Sequence, residues 1–165
     1  MKRDEIQIEK LLNTIASKLN LLNKTIATAE SCTGGLVGHT FTNISGSSTF
    51  FDRGIISYSN NAKMQLLDVA KKDIETYGAV SGKVAEEMAD GIRKNAEVDI
   101  GLSTTGVAGP TGGTKEKPVG LVYIALSSKN ETIVKEFKFE GSRLENKQNT
   151  LYEVILLLHD YLNTA

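Results

Sequence analysis

The stretch Thr25-Ile-Ala-Thr-Ala-Glu-Ser-Cys-Thr-Gly-Gly-Leu-Val-Gly-His-Thr-Phe-Thr42 decides how this chain folds. Residues 25–31 are β-prone and mostly small, which predicts a strand. Cys32 to Gly35 then form a turn, and residues 36–42 predict a helix. A strand that runs directly into a helix is a building unit of α/β domains.

The remaining elements intermix along the chain in the same way. Helices are predicted over residues 4–22, 62–70, 81–95 and 142–163. Strands are predicted over residues 51–59, 98–103, 119–126 and 133–139, the third covered on both faces and the fourth near a sheet edge. We therefore expect one single-domain, three-layer α/β/α fold over residues 1–165, with a mixed, mostly parallel sheet.

Composition narrows the functional classes. The chain is 40% hydrophobic and 24% charged, with a net charge of -1, so no bulk attraction to nucleic acid or to an anionic membrane is expected. Cys32 is the one cysteine and His39 and His159 are the two histidines, too few ligands for a zinc site. We therefore expect no metal and no cofactor. The charged first residues and the absence of a long apolar run predict a cytoplasmic protein.

Four polar or glycine-rich segments carry the candidate chemistry. The first is the segment from Glu30 to Gly35, between a strand and a helix. It exposes the Ser31 side chain, and the backbone N–H groups of Cys32, Thr33, Gly34 and Gly35 could hold an oxyanion. Plain helix capping by Ser31 or Thr33 explains the same residues about equally well. The second contains Tyr58 and Lys63 at another strand-to-helix junction. A buried lysine near a helix start has a lowered pKa and can act as a base, whereas most lysines are simply solvated.

The third and fourth segments are candidate anion sites. The loop over residues 106–120 contains Gly106, Gly109, Gly112, Gly113 and Gly120, which would let backbone N–H groups approach a phosphate. A mobile surface loop is the competing interpretation. Arg143 opens the last helix, where it either helps to bind a phosphate or is a solvated side chain beside a cap.

Ser31 and Cys32 compete for the role of nucleophile. Both histidines fall in predicted helices and are better explained by packing, so a serine–histidine–aspartate triad is poorly supported. A lysine is then the simpler base for Ser31. A thiolate at a helix start is also activated, which keeps Cys32 as the alternative.

Six motifs in order resemble one known family. They are A-E-S-C-T-G-G at 29–35, G-I-I-S-Y-S-N-N-A-K at 54–63, G-A-V-S at 78–81, T-G-V-A-G-P-T-G-G at 105–113, K-P-V-G at 117–120 and F-x-G-x-R at 139–143. Together they resemble the C-terminal domain of the competence/damage-inducible protein CinA, which also exists as the stand-alone nicotinamide-nucleotide amidase PncC. Relatives often carry a further N-terminal nucleotide-hydrolysing domain, and we expect the stand-alone form here.

The resemblance implies hydrolysis of nicotinamide mononucleotide to nicotinate mononucleotide and ammonia. It places the catalytic serine on Ser31 and the lysine on Lys63, with Tyr58 as an assistant. Thr104, Thr105, the loop glycines and Arg143 become candidates for ribose and phosphate contacts. Lys147 and Thr111 stand where relatives commonly have arginine and glycine, which puts substrate affinity in question.

Two other classes of function remain alternatives. A family member that keeps the pocket without turnover would be a nucleotide-binding or regulatory module. The family's name also suggests a partner in DNA uptake or repair, although the near-neutral charge argues against direct DNA contact. We expect a small nucleotide as ligand, no membrane partner, and leave a homo-oligomer open.

Overall fold

The chain forms one α/β domain built on a single sheet, and the computed structural model describes residues 2–164, with side chains from residue 6 onward. In chain order the elements are α1 (Lys2–Leu21), β1 (Ile26–Glu30), α2 (Leu36–Thr42), a 3-10 turn (Ser47–Thr49), β2 (Phe51–Ile56), α3 (Asn60–Leu67), α4 (Lys71–Tyr77), α5 (Gly82–Asn95), β3 (Ile100–Gly106), β4 (Leu121–Ser127), β5 (Thr132–Lys138) and α6 (Arg143–Thr164). Met1 and Ala165, the ends of the predicted domain, lie outside the described residues.

The five strands are ordered β2-β1-β3-β4-β5. β1 pairs in parallel with both β2 and β3, whereas β4 runs antiparallel to β3 and to β5. Four strands therefore point one way and β4 points the other. The predicted mixed sheet is confirmed, with two parallel and two antiparallel pairings.

Helices cover both faces of this sheet, as predicted. One core joins α1, α2 and α6 to side chains such as Ile26, Ile100 and Ile124. The other joins α3, α4 and α5 to Ala27 and Ala29 of β1. Burying one such aliphatic side chain is worth roughly 1.5–3 kcal/mol, so these two cores supply the main stabilisation of the fold.

The small residues of the central strands determine how closely the helices approach. A Cβ atom on Gly101 would lie 2.2 Å from the carbonyl oxygen of Ala89 in α5. Only glycine fits at this contact, so α5 packs directly against the β3 backbone. This close layer brings the segment before α5 next to the carboxyl end of β3.

Three boundaries differ from the predictions by about three residues, and the others agree more closely. Asp68 takes a left-handed conformation with φ of 58°, so α3 ends before it and a separate, mostly polar α4 follows. β2 ends at Ile56 because Ser59 already caps α3. β3 extends beyond its predicted end to Gly106 and is buried on both faces, so Gly106 belongs to the strand and not to the glycine-rich loop.

Among residues 2–164, no helix combines the length and the apolar character that crossing a bilayer requires.

Candidate active site

Ser31 lies at the edge where three parallel strands end. Register places Glu30 beside Ile56 of β2 and Thr104 of β3. The Ser31 N–H donates to the Thr104 carbonyl at 3.0 Å, and the Ser57 N–H donates to the Glu30 carbonyl at 2.9 Å. Strand order reverses at this point, with β2 on one side of β1 and β3 on the other. Ligands of open α/β sheets bind in the crevice at such a switch point.

Lys63 meets Ser31 across this crevice. Its Nζ atom lies 3.0 Å from Ser31 Oγ and 2.7 Å from the Ser57 carbonyl oxygen. Lys63 is 1% exposed and Ser31 is 8% exposed. Ser59 Oγ accepts the Ala62 N–H at 3.0 Å and starts α3, which places Lys63 one turn into the helix.

Burial controls the protonation of this lysine. Removal of the Lys63 ammonium from water lowers its pKa below the ordinary value of 10.5, and the negative charge that Cys32 carries as a thiolate would act in the opposite direction. A neutral amine that donates one N–H to the Ser57 carbonyl keeps a lone pair for the hydroxyl proton of Ser31. The geometry is that of a serine with an adjacent lysine base.

Cys32 is less suited than Ser31 to act as a nucleophile. Burial raises the pKa of its thiol to about 12. A thiol with that pKa is protonated near neutral pH, and the protonated form is a poor nucleophile. The competition between the two neighbouring residues therefore favours Ser31.

The turn after Ser31 has fewer free N–H groups than the sequence suggests. The Gly34 N–H donates to the Ser31 carbonyl at 3.1 Å, and the Gly35 N–H donates to Glu30 Oε2 at 2.9 Å. Within residues 2–164 we find no acceptor for the N–H of Cys32 or of Thr33. Because the turn consumes the two glycine donors itself, the predicted oxyanion donors narrow to Cys32 and Thr33, of which Cys32 lines the cleft.

A cleft of about 370 Å³ opens above Ser31 and Lys63. That volume falls within the ~300–1,000 Å³ of typical ligand pockets. It is lined by Ser31, Cys32, Tyr58, Asn60, Lys63, Ala79, Val80, Thr105, Gly106, Val107, Ala108, Gly109, Thr111, Gly112 and Arg143. None of these residues is acidic and Arg143 carries a permanent positive charge, so the cleft favours an anionic ligand. Among residues 6–164, whose side chains the structure describes, no three His, Cys, Asp or Glu side chains gather to hold a metal ion.

Arg143 bridges two sides of the cleft. Its Nη1 atom donates to the Gly109 carbonyl at 2.8 Å and its Nη2 atom donates to Tyr58 Oη at 3.1 Å. Tyr58 is 62% exposed, and among the described residues its hydroxyl forms a hydrogen bond with Arg143 and none with Ser31 or Lys63. Tyr58 therefore lines the same cleft as the serine–lysine pair but is bonded to Arg143.

The other predicted binding residues divide into two groups. Thr105, Gly106, Gly109 and Gly112 line the cleft, although the Thr105 hydroxyl donates to the Ala79 carbonyl at 2.8 Å. Thr104 is buried behind the turn, with its Oγ1 atom 2.7 Å from Thr33 Oγ1. Gly113 packs inside its own loop, where an added Cβ would lie 2.7 Å from the Val119 nitrogen. Thr104 and Gly113 are thus outside the cleft.

Comparison with known proteins identifies the family of this chain. Residues 8–162 match the model of the CinA C-terminal domain. The chain belongs to the CinA C-terminal domain family. A "CinA-like protein" of Syntrophomonas wolfei is 52% identical over 135 residues, which cover 82% of this chain and 32% of that protein. A relative from Thermoanaerobacter sp. (strain X514) is 45% identical over 159 residues, which cover 96% of this chain and 38% of the relative.

A solved CinA-family structure has the same fold. The competence/damage inducible protein CihA from Agrobacterium tumefaciens superposes with a TM-score of 0.91 at 38% identity, covering 94% of this chain and 95% of that one. The chain spans less than two-fifths of the length of the curated relatives it matches, at 38% and 32%. The shared unit is therefore the CinA C-terminal domain.

The two departures from the CinA pattern lie at different distances from the cleft. Thr111 lines it directly. Lys147 lies beside the turn instead, since an added Cβ on Gly34 would be 3.6 Å from its Nζ atom. Of the two, Thr111 is placed to contact a ligand in the cleft.

Several cleft residues were not singled out from the sequence. Asn60 lines the cleft from the first residue of α3, and Ala79 and Val80 line it from the segment before α5. Glu30 does not line the cleft, but its carboxylate accepts the Gly35 N–H of the turn. Ala79 and Val80 fall in the G-A-V-S motif, and Asn60 and Glu30 also lie in quoted motifs. These motifs were the available signal, but no local pattern assigns those residues a role.

Proposed function

We propose that this CinA-family chain hydrolyses the carboxamide of nicotinamide mononucleotide, releasing ammonia and nicotinate mononucleotide. The supporting observation is the contact between Lys63 Nζ and Ser31 Oγ, 3.0 Å apart and buried at the base of an open cleft. A serine beside a lysine of lowered pKa is equipped for acyl transfer.

In the acylation step, Ser31 Oγ attacks the carboxamide carbon while neutral Lys63 accepts the hydroxyl proton. The oxygen–carbon bond forms, and the carbonyl oxygen becomes an oxyanion that the Cys32 N–H can stabilise. One such donor is typically worth about 2.7–4 kcal/mol in the transition state. The carbon–nitrogen bond then breaks, and the proton held by Lys63 passes to the leaving nitrogen, which departs as ammonia.

Water completes the reaction by the reverse relay. Lys63, neutral again, accepts a proton from water as the water oxygen attacks the acyl carbon. The bond to Ser31 Oγ breaks, and Lys63 returns the proton to that oxygen. The product leaves as a carboxylic acid, which releases its proton to solvent to give the carboxylate, and the enzyme regains its starting protonation.

Charge complementarity supports a phosphorylated substrate. The cleft lining contains no carboxylate and one permanently charged side chain, Arg143, because Lys63 is neutral in the proposed mechanism. Among residues 6–164, the acceptors of Arg143 are both neutral, the Gly109 carbonyl and the Tyr58 hydroxyl, so its positive charge is available to a phosphate. The cationic pyridinium ring of the substrate withdraws electrons from the amide and makes it easier to attack.

The deciding experiment is ammonia release from nicotinamide mononucleotide, with nicotinate mononucleotide identified by mass. Ser31→Ala and Cys32→Ala form a matched pair, since each removes one reactive atom from adjacent positions of the same turn. We expect no turnover in Ser31→Ala and most of the activity in Cys32→Ala. The reverse pattern would move the nucleophile to Cys32. Binding without turnover by the wild-type protein would instead identify a non-catalytic nucleotide-binding module.

A further inference from the structure

The carboxylate of Glu30, the residue before Ser31, is buried inside the turn. Glu30 is 2% exposed. Its Oε2 atom accepts the N–H groups of Gly35 at 2.9 Å and Val37 at 3.0 Å, and its Oε1 atom accepts the Gly38 N–H at 2.7 Å. These are charge-assisted bonds, which are stronger than bonds between neutral groups.

A second set of contacts links this carboxylate back to Ser31. The Thr33 hydroxyl donates to Glu30 Oε2 at 2.6 Å and lies 2.7 Å from the Thr104 hydroxyl. The Thr104 carbonyl in turn accepts the Ser31 N–H at 3.0 Å. Because Glu30 and Ser31 are also neighbours in the chain, these contacts form a closed ring from Glu30 through Thr33 and Thr104 to Ser31. A shift of the carboxylate would therefore also shift the nucleophile.

Glu30 also borders a hollow that is separate from the cleft. The hollow has a volume of about 250 Å³ and is lined by Glu30, Gly35, Gly38, His39, Phe51, Gly54 and Ile56. Ile56 is 54% exposed, so the hollow reaches the surface. A small anion could therefore reach the Glu30 position without passing Ser31.

We propose that Glu30 is a positioning residue, whose carboxylate holds the turn of residues 31–35 so that Ser31 Oγ faces Lys63 and the Cys32 N–H faces the reacting group. This inference rests on the Ser31 nucleophile of the proposed function, and not on the identity of the substrate. It also assigns a use to the N–H groups of Gly35, Val37 and Gly38, which the carboxylate occupies.

The test measures Ser31 reactivity without the natural substrate. A fluorophosphonate probe reacts with an activated serine: the Ser31 oxygen–phosphorus bond forms, the phosphorus–fluorine bond breaks, and fluoride leaves while Lys63 takes the proton. Labelling rates from intact mass are compared for wild type, Glu30→Ala and Glu30→Gln, with Ser31→Ala as the blank. Thermal melting shows which variants are folded.

We expect Glu30→Ala to label about a hundredfold more slowly, the typical cost of misplacing a reacting group by ~1 Å. Added formate should restore the rate saturably, because it can enter the hollow and replace the missing carboxylate. Glu30→Gln should also be slow but insensitive to formate, since its side chain still fills the site and its amide nitrogen faces N–H donors. Wild type and Glu75→Ala, which removes an exposed carboxylate of α4, should not respond to formate.

Several results would overturn the proposal. One is a folded Glu30→Gln variant that is labelled at the wild-type rate. If Glu30→Ala does not fold, the labelling rate of Glu30→Gln is the deciding result. Another is a folded Glu30→Ala that formate fails to accelerate. A wild-type protein that is not labelled at Ser31 would overturn this inference and the Ser31 mechanism together. A labelled wild type that leaves nicotinamide mononucleotide intact would refute only the proposed substrate.

Discussion

Lys63 illustrates how a single residue acquires reactivity from its surroundings. Its Nζ atom contacts one hydroxyl and one carbonyl, at 3.0 and 2.7 Å, and neither partner carries a charge. Burial therefore determines the direction of its pKa shift, which is downward. A lysine in this setting reaches the neutral, proton-accepting form at a lower pH than a solvated lysine does.

The first residue-scale prediction concerns the pH dependence of acylation. Deprotonation of Lys63 creates the base, so the single-turnover acylation rate should rise with pH through the lowered pKa and then level off. Lys63→Arg keeps a positive charge but cannot act as a base near neutrality, and it should be as inactive as Lys63→Ala. Substantial acylation by the arginine variant would show that residue 63 supplies charge only.

A second residue-scale prediction concerns folding stability. The folded state disfavours a proton on Lys63, whereas the unfolded chain binds it up to the ordinary pKa of 10.5. Wild-type stability from this group should therefore rise with pH between the lowered pKa and that value. Lys63→Met lacks the titration, so its melting temperature relative to wild type should fall as pH increases from 7 to 10. A constant difference would contradict the shift.

At the scale of elements, the glycine-rich loop is attached to two parts of the fold, α6 and the segment before α5. Arg143 Nη1 donates to the Gly109 carbonyl at 2.8 Å, and Asn146 Nδ2 donates to the Ala108 carbonyl at 3.0 Å, both from α6. Lys117 Nζ, in the loop, donates at 2.6 Å to the carbonyl of Val80, which lies in the segment before α5. The loop thus joins α6 to the segment before α5 around the cleft.

We predict that Arg143 and the substrate phosphate act together. Charge-assisted contacts contribute roughly 1.5–3 kcal/mol, so kcat/KM for nicotinamide riboside should be about 10- to 100-fold below that for the mononucleotide. Arg143→Ala should reduce the preference for the mononucleotide over the riboside, mainly by lowering kcat/KM for the mononucleotide. Arg143→Lys should retain part of that preference. Equal losses for both substrates would indicate that Arg143 only supports the loop.

The attachment through Lys117 makes a separate prediction. Lys117→Met removes the donor to Val80, which lines the cleft, while it keeps most of the side-chain volume. We expect KM to rise about tenfold with kcat within about twofold, because loop placement affects binding more than the Ser31 reaction. Lys115→Met, an exposed change in the same loop, is the matched control. A fall in kcat with KM unchanged would contradict the expectation that loop placement affects binding more than the reaction at Ser31.

At the scale of the whole molecule, the sheet separates two layers of helices, and residues from both layers meet at one edge of the sheet. α1, α2 and α6 form one core and α3, α4 and α5 form the other. Ser31 follows β1, Lys63 comes from α3, and Arg143 starts α6. The site therefore assembles where both layers meet the carboxyl ends of the parallel strands.

Composition of the whole chain supports a prediction about metals. One cysteine and two histidines leave few soft ligands, and the proposed reaction draws on side chains and backbone only. Exhaustive chelation should leave the rate of ammonia release nearly unchanged. The chelator is then removed by buffer exchange, and zinc or manganese is added back to the wild-type protein separately. A loss of activity that either metal specifically restores would refute the prediction.

The sequence by itself predicted the order of the helices and strands apart from α4, because periodicity and turn residues are local signals. The helix over residues 36–42 and the doubly buried strand β4 follow from such patterns. α4 was missed because its seven residues bury only Ile74 and carry no apolar stripe. The resemblance of the motifs predicted the family, which the comparisons confirm.

Only the tertiary structure decided which polar groups are free and which are occupied. Ser31 and Lys63 are 32 residues apart, and Tyr58 and Arg143 are 85 apart, so no local pattern encodes their contacts. The Gly35 N–H looked available for an oxyanion until folding placed the Glu30 carboxylate against it. A buried donor takes whichever acceptor the packed chain brings within reach, and that choice depends on how all the layers assemble.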